Sequence, residues 1–295
     1  MVKTCERLTT NGSAINSRSL EDDIKSLRED LINCPEYEDW DSIDQKLLEN
    51  QSSQSVLLES FLATNFNYKR ALQSARKFLT WKAENGINFL QAESFAKEMH
   101  SINFVCFLPA DINGTPTLLL RLCFPSPPSY LLPYVYKYVS WNIEKVTKAI
   151  NMTSRKPRFI IDCADARIDL TIIKEMLNIL VFIYPPWVES VTFCNMDWKF
   201  SFIYSIIKKL LPSSIRELII EADQSFVNSL ASEPTNLPPY LGGLTFNCSY
   251  DDWIKCDNIS DFLKEKGFKE KQINESIDYV NSVIKKFGND APKKL

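Results

Sequence analysis

The sequence predicts an α/β fold: a helical N-terminal lobe, then a lobe built on a mostly parallel β-sheet. Three observations carry this. Between residues 21 and 100 apolar residues recur at helical spacing. From residue 101 the pattern changes to short apolar runs separated by longer amphipathic stretches. From residue 158 to 232 the two alternate, and strand–helix alternation implies parallel strands joined by right-handed crossovers.

Residues 1–20 are polar, rich in Ser, Thr and Asn, and expected to be disordered. The clearest helix in the N-terminal lobe is 68–86, where Ala71, Ala75 and Phe78 form one stripe widened by Leu72 and Leu79, and Gly86 is the stop. Lys82 continues the stripe in place of a hydrophobe; such a lysine near a helix end can lay its stem on the core with its head in water. Residues 102–124 are two apolar runs around Asp111-Ile112-Asn113-Gly114, a turn signal that predicts a hairpin or two neighbouring strands. In the next helix Val135, Val139, Ile143, Val146 and Ile150 make one stripe, and Tyr134, Tyr138 and Trp141 a second beside it. So wide an apolar arc requires burial on two sides. Strand 158–162 then leads to helix 169–184, strand 188–194 to helix 198–211, and strand 217–221 to a short helix, 223–232. A helical tail, 251–295, contains mixed-charge amphipathic helix over 257–287.

Composition narrows the function. A chain of 295 residues can bury a substantial core, and a net charge of −3 gives no electrostatic footprint for nucleic acid. The first thirty residues hold no apolar core of about 7–15 residues, so no secretory signal is expected. The most apolar stretch, 176–188, is too short and too broken by proline to span a bilayer. Eight scattered cysteines without a CxxC pair, and a single histidine, argue against zinc and a disulfide framework; a cytoplasmic protein with reduced thiols is expected.

Asp162, Asp165 and Asp169 follow a buried strand, where open α/β sheets place their sites; they could hold Mg²⁺ or cap the following helix. The chain has no GxGxxG, no GxxxxGK[ST] and no GxSxG, and His100 follows a helix outside the sheet region. Neither an enzyme nor a metal or cofactor is expected. Lys208, Lys209 and Arg216 bracket Leu210-Leu211-Pro212, either complementing a helix dipole or contacting an anionic headgroup or membrane surface. The Lys/Glu run 264–271 is expected to be a solvated face.

Five stretches together resemble the CRAL-TRIO, or Sec14-like, lipid-binding domains over roughly residues 55–250. Phe78-Leu79-Thr80-Trp81-Lys82 is similar to the family's aromatic-Trp-Arg helix end, and Asp111-Ile112-Asn113-Gly114-Thr115-Pro116 to its Asp-x-x-Gly-x-Pro hairpin. Ile183-Tyr184-Pro185, Ile207-Lys208-Lys209-Leu210-Leu211 and Leu237-Pro238-Pro239-Tyr240-Leu241-Gly242-Gly243 follow in the family's order. Met196-Asp197-Trp198 and the Leu-Pro-Pro-x-x-Gly-Gly stretch resemble the lipid-binding half of the motile sperm domain-containing proteins.

The resemblance implies a helical lobe over 21–100 and a CRAL-TRIO lobe over 101–250 whose sheet floors a closed apolar pocket. It implies a bound lipid, a transient membrane contact and no nucleic acid, and it names no protein partner. Tyr138 and Trp141 would line the pocket, and Phe226, Val227 and Leu230 on helix 223–232 would roof it, with Gly242-Gly243 as hinge. Lys82, Lys208 and Arg216 would meet a headgroup. Lys82 replaces the family's arginine and lacks its bidentate fork, Leu244 stands where phosphatidylinositol-binding members can carry lysine, and Asp165 stands where many relatives have glycine. Two acyl chains of about sixteen carbons need on the order of 25 kcal/mol of replacement burial, hence a lid. The expected function is binding and intermembrane transfer of a phospholipid or other small hydrophobic lipid, by a cytoplasmic protein that touches membranes peripherally. The alternative is a protein-interaction module on the same fold with a filled pocket.

Overall fold

The computed structural model describes residues 19–50, 55–65, 67–102, 104–108, 113–153, 155–167, 169–184, 188–211, 213–230, 241 and 255–287. The predicted disorder over 1–20 falls mainly on residues 1–18, which lie outside the described residues, as do Asp111, Pro185, Pro238, Pro239, Gly242 and Gly243.

The N-terminal lobe consists of α1 (Leu20–Ile32), α2 (Ser42–Glu49), α3 (Ser55–Asn65) and α4 (Tyr68–Asn85). Helix α1 begins where Ser19 and Asp22 form a capping box, and α2 where the Asp41 carboxylate accepts from the Ile43 and Asp44 amides. Helix α4 ends at Gly86, whose φ of 62° is the left-handed stop that the sequence predicts. Its stripe, Ala71, Ala75, Phe78 and Leu79, is buried with Leu27, Leu31 and Leu48. A short helix, α5 (Lys97–Ile102), leads into the sheet.

Among the described residues the sheet has β1 (Val105–Leu108), β2 (Thr117–Arg121), β3 (Arg158–Asp162), β4 (Ser190–Cys194) and β5 (Ile219–Ala222), in that spatial order. Strands β1 and β2 pair antiparallel, the predicted hairpin; the other pairs are parallel. Strand β3 occupies the predicted residues. Strands β4 and β5 begin later than the predicted 188 and 217. Before β5 the chain makes an extra turn of helix, α9 (Ser213–Arg216), and the Leu218 amide still donates to the Ile215 carbonyl.

Helices α6 (Leu132–Thr153), α7 (Leu170–Leu177) and α8 (Trp198–Leu210) connect successive parallel strands. Because neighbours in the sheet are also neighbours in sequence, right-handed crossovers put all three on one face. Side-chain alternation then decides what they meet. Leu118, Leu120, Phe159, Ile161, Val191 and Phe193 point to the helices, whereas Leu119, Ile160, Thr192 and Cys194 point away. Helix α10 (Gln224–Leu230) follows the last strand and covers that second face: Val227 is fully buried among Leu108, Leu119, Ile160, Cys194 and Leu241.

The predicted helix 169–184 is α7 followed by a π-helical turn, Asn178–Ile183. The Tyr184 amide donates to the Ile179 carbonyl at 3.0 Å. The wider turn points Ile179, Ile183 and Tyr184 into the main core while Leu180 reaches the cavity described below. The tail is two helices, α11 (Ile259–Glu265) and α12 (Glu270–Phe287), separated at Gly267 with φ 77°. It folds back: the Lys97 amide donates to the Asp257 carbonyl, the Ile259 amide to the Glu98 carboxylate, and the Tyr130 hydroxyl to the Gln272 carbonyl, each at 2.8 Å. Phe262, Leu263, Ile273 and Val280 bury against Ala96 and Leu131.

Candidate ligand site

A cavity of about 220 Å³ lies between the helix-bearing face of the sheet and its cover. Leu120, Ile161 and Phe193 form its floor, and Val135 and Val139 of α6 and Ile172 and Met176 of α7 form its sides. Phe200 of α8 covers it, and Phe262, Tyr279 and Val280 close it from α11 and α12. The double stripe on α6 is thereby explained. Val135 and Val139 of the first stripe and Tyr134 of the second face the cavity, while Tyr138 and Trp141 pack against Phe95 and His100.

The cavity turns polar at the carboxyl ends of β2 and β3, where Arg121, Ser126, Arg167 and Asp169 line it. Asp169 caps α7, accepting from the Thr171 and Ile172 amides and, at 2.7 Å, from the Ser126 hydroxyl. The Ser126 bond foremost, with the helix amides, holds its carboxyl below the usual range. Asp162 accepts from Asn195 at 2.9 Å and lies 3.6 Å from Arg121 Nε. Asp165 has φ 51°, a left-handed position aspartate tolerates better than most residues. Tyr279 donates to the Pro125 carbonyl at 2.8 Å, and burial pushes its phenol up to about 12.

Helix α8 has two apolar faces. Phe200 and Tyr204 are buried, packing with Ile161, Phe193 and Ile219. Trp198, Phe202 and Ile206, one stripe at i, i+4, i+8, are 78%, 68% and 48% exposed. This pattern was available in the sequence and the reading missed it. An amphipathic surface helix has one apolar stripe, so a second stripe on a helix with one neighbour is itself a signal.

The expected site residues fall elsewhere, and each placement has a physical reason. Lys82 does not send its head to water. Its ammonium is buried, 3.0 Å from Asp44 and 3.4 Å from Glu144. Asn88 donates to the second Asp44 oxygen at 2.7 Å, and Tyr184 donates to the second Glu144 oxygen at 2.8 Å. Four elements, α2, α4, α6 and the π-turn end, are thus bolted together. Burial, resisted by Lys82, raises the Asp44 pKa; Lys82 is itself pushed down by burial, but Glu144 and Asp44 hold it above its ordinary value. Burial and Glu144 drive the Tyr184 phenol far up.

Lys208 pairs with Glu221 at 2.8 Å and lies over the Tyr204 ring, and Arg216 is exposed at the end of α9; neither lines the cavity. Tyr138, Trp141 and Val227 do not line it either, and Phe226 is half-buried on α10. Val227 packs on the far face of the sheet, so the described part of helix 223–232 does not roof this cavity. The Leu230 side chain lies outside the described residues, as does the Gly242-Gly243 pair.

The α/β fold thus presents a helix-covered sheet floor, an apolar cavity and a polar rim. Residues 100–243 match the family model of the CRAL/TRIO domain. The structure resembles "Crystal structure of Sfh5" with a TM-score of 0.53 and 14% identity, over 83% of this chain and 91% of that one. That likeness is one of fold. It bears out the Sec14-like architecture with its helical N-terminal lobe and mostly parallel sheet. No curated protein matches the sequence. Among the described residues, no helix is long and apolar enough to cross a membrane.

Proposed function

We propose that this protein binds a lipid in the cavity above its sheet and exchanges it with membranes through α8. The observation that carries the reading is the two-faced helix: Phe200 closes the cavity from within, and Trp198 and Phe202 stand in solvent directly outside. An apolar chain can pass from bilayer to cavity beneath such a helix without crossing water, and exposed aromatics give it a membrane-facing surface. The lid role expected of helix 223–232 passes to α8. The likeness of Met196-Asp197-Trp198 to the motile sperm domain-containing proteins belongs to the same reading, since this turn starts α8.

The cavity size bears on the ligand. At a liquid share of about 30 Å³ per water, 220 Å³ is room for roughly seven waters. That is about half the bulk of an acyl chain of about sixteen carbons, whose full burial is worth about 13 kcal/mol, so even one such chain requires the cavity to widen. A two-chain phospholipid requires the cover to move outward. Lys82 acts as the bolt between lobes, and its charge serves the fold instead of a headgroup.

The test is native mass spectrometry of the purified chain, followed by vesicle-to-vesicle transfer by wild type and by Trp198→Asp/Phe202→Asp. A co-purified lipid is expected, with transfer by the variant at least tenfold slower and an unchanged melting temperature. If no lipid co-purifies and none is taken up from vesicles, the protein is an interaction module with an idle pocket. Transfer by the variant at the wild-type rate removes α8 from the route.

A further inference from the structure

The polar end of the cavity has a charge arrangement that the binding of an apolar chain does not require. Two arginines and two aspartates meet there, and both aspartates are occupied. Asp169 is held by Ser126 and the first amides of α7; Asp162 is held by Asn195 and the Ala164 amide, with Arg121 3.6 Å away. Arg121 is buried, and its guanidinium carbon lies 5.5 Å from the centre of the Phe124 ring. Arg167 differs from all of these. Its backbone is fixed, the amide donating to the Leu122 carbonyl at 2.8 Å, yet among the described residues no side chain pairs with its guanidinium. It is exposed and lines the cavity at the same time.

From this we infer that the rim is an anion site and that the ligand is an acidic single-chain amphiphile, with its carboxylate or phosphate on Arg167. The inference rests on the lipid-binding reading above and adds the class of ligand. An arginine offers a planar pair of donors that match either anion bidentately. Arg121, which lines the same rim, adds positive potential in a half-enclosed site where apolar walls weaken solvent screening. The two aspartates repel an anion less than free carboxylates would, since their lone pairs already accept hydrogen bonds. The tail runs along Leu120, Ile161 and Val139 toward Leu180, the apolar part of the lining.

The experiment compares dodecanoate, 1-dodecanol and inorganic phosphate on the full chain freed of co-purifying lipid, by calorimetry. Dodecanoate is expected to bind at least tenfold more tightly than dodecanol. Arg167→Gln is expected to erase that preference while leaving dodecanol affinity and the urea midpoint unchanged, and Arg167→Lys to restore part of it. Phosphate alone is expected not to compete at millimolar concentration. Equal affinity for acid and alcohol in the wild type, or a preference that survives Arg167→Gln, overturns the inference. Phosphate binding as tight as dodecanoate also overturns it, in favour of a free-anion site. Binding of dodecanol without preference leaves the lipid reading intact, whereas binding of neither chain overturns both.

Discussion

Replacing Lys82 by methionine keeps the stem that packs beside Phe78 and removes the one cation shared by Asp44 and Glu144. At separations of 3.0 and 3.4 Å and an effective dielectric constant near 20, each attraction is worth about 5 kcal/mol. Burial of the ions offsets much of this, so the net loss is that of breaking a buried pair, about 3–5 kcal/mol. The loss depends on pH. Asp44 already has a raised pKa, because burial outweighs Lys82. A carboxyl raised in the folded state favours folding at low pH, and its contribution is lost as pH rises through the folded value. Without Lys82 the two carboxylates face each other, so Asp44 rises further and holds its proton. The penalty is therefore expected to be greatest near pH 8 and to shrink toward pH 5. Urea unfolding of wild type and Lys82→Met at both values measures it, and Lys82→Met/Asp44→Asn is expected to recover at least half at pH 8. A penalty below about 1 kcal/mol, or one that is the same at both pH values, would refute the reasoning.

Two further outcomes are expected. Val139→Trp fills the cavity from α6, so lipid co-purification is expected to fall at least tenfold in native mass spectra, while the chemical denaturation midpoint shows no loss beyond the roughly 1–3 kcal/mol of an overpacked core. If Gly242-Gly243 works as a hinge, replacing both with alanine slows lipid exchange at an unchanged or raised melting temperature; a lowered melting temperature with unchanged exchange would make the pair an ordinary tight turn.

What could be read in the sequence was local. Strand β3 and the end of α4 were legible because a continuous apolar run and a glycine stop each act within a few residues. The double stripe of α6 announced two-sided burial without saying against what. The partners of Lys82 lie 38 and 62 residues away, and no spacing rule connects them. The described part of helix 223–232 lies on the far face of the sheet from this cavity for a topological reason. Period alone makes the Phe226/Val227 face as good a roof as α8, and only the strand order, with crossovers of one hand, sends α8 to the cavity side and α10 to the other. Arg167, exposed and without a side-chain partner among the described residues, was hidden differently, since exposure and pairing are properties of neighbours folded in from elsewhere.

The helix pair α11 and α12 lies beyond residues 100–243, the stretch that matches the domain model, yet Phe262, Tyr279 and Val280 form one wall of the cavity. The cavity is thus assembled from the matched stretch and from residues beyond it. A change at Val280 would reshape the cavity wall without disturbing a strand register. The same division means that a protein trimmed to its recognisable domain would be a vessel with one side missing. The missing side would expose the apolar floor, and a filled cavity would tie the last helix to the sheet through its cargo.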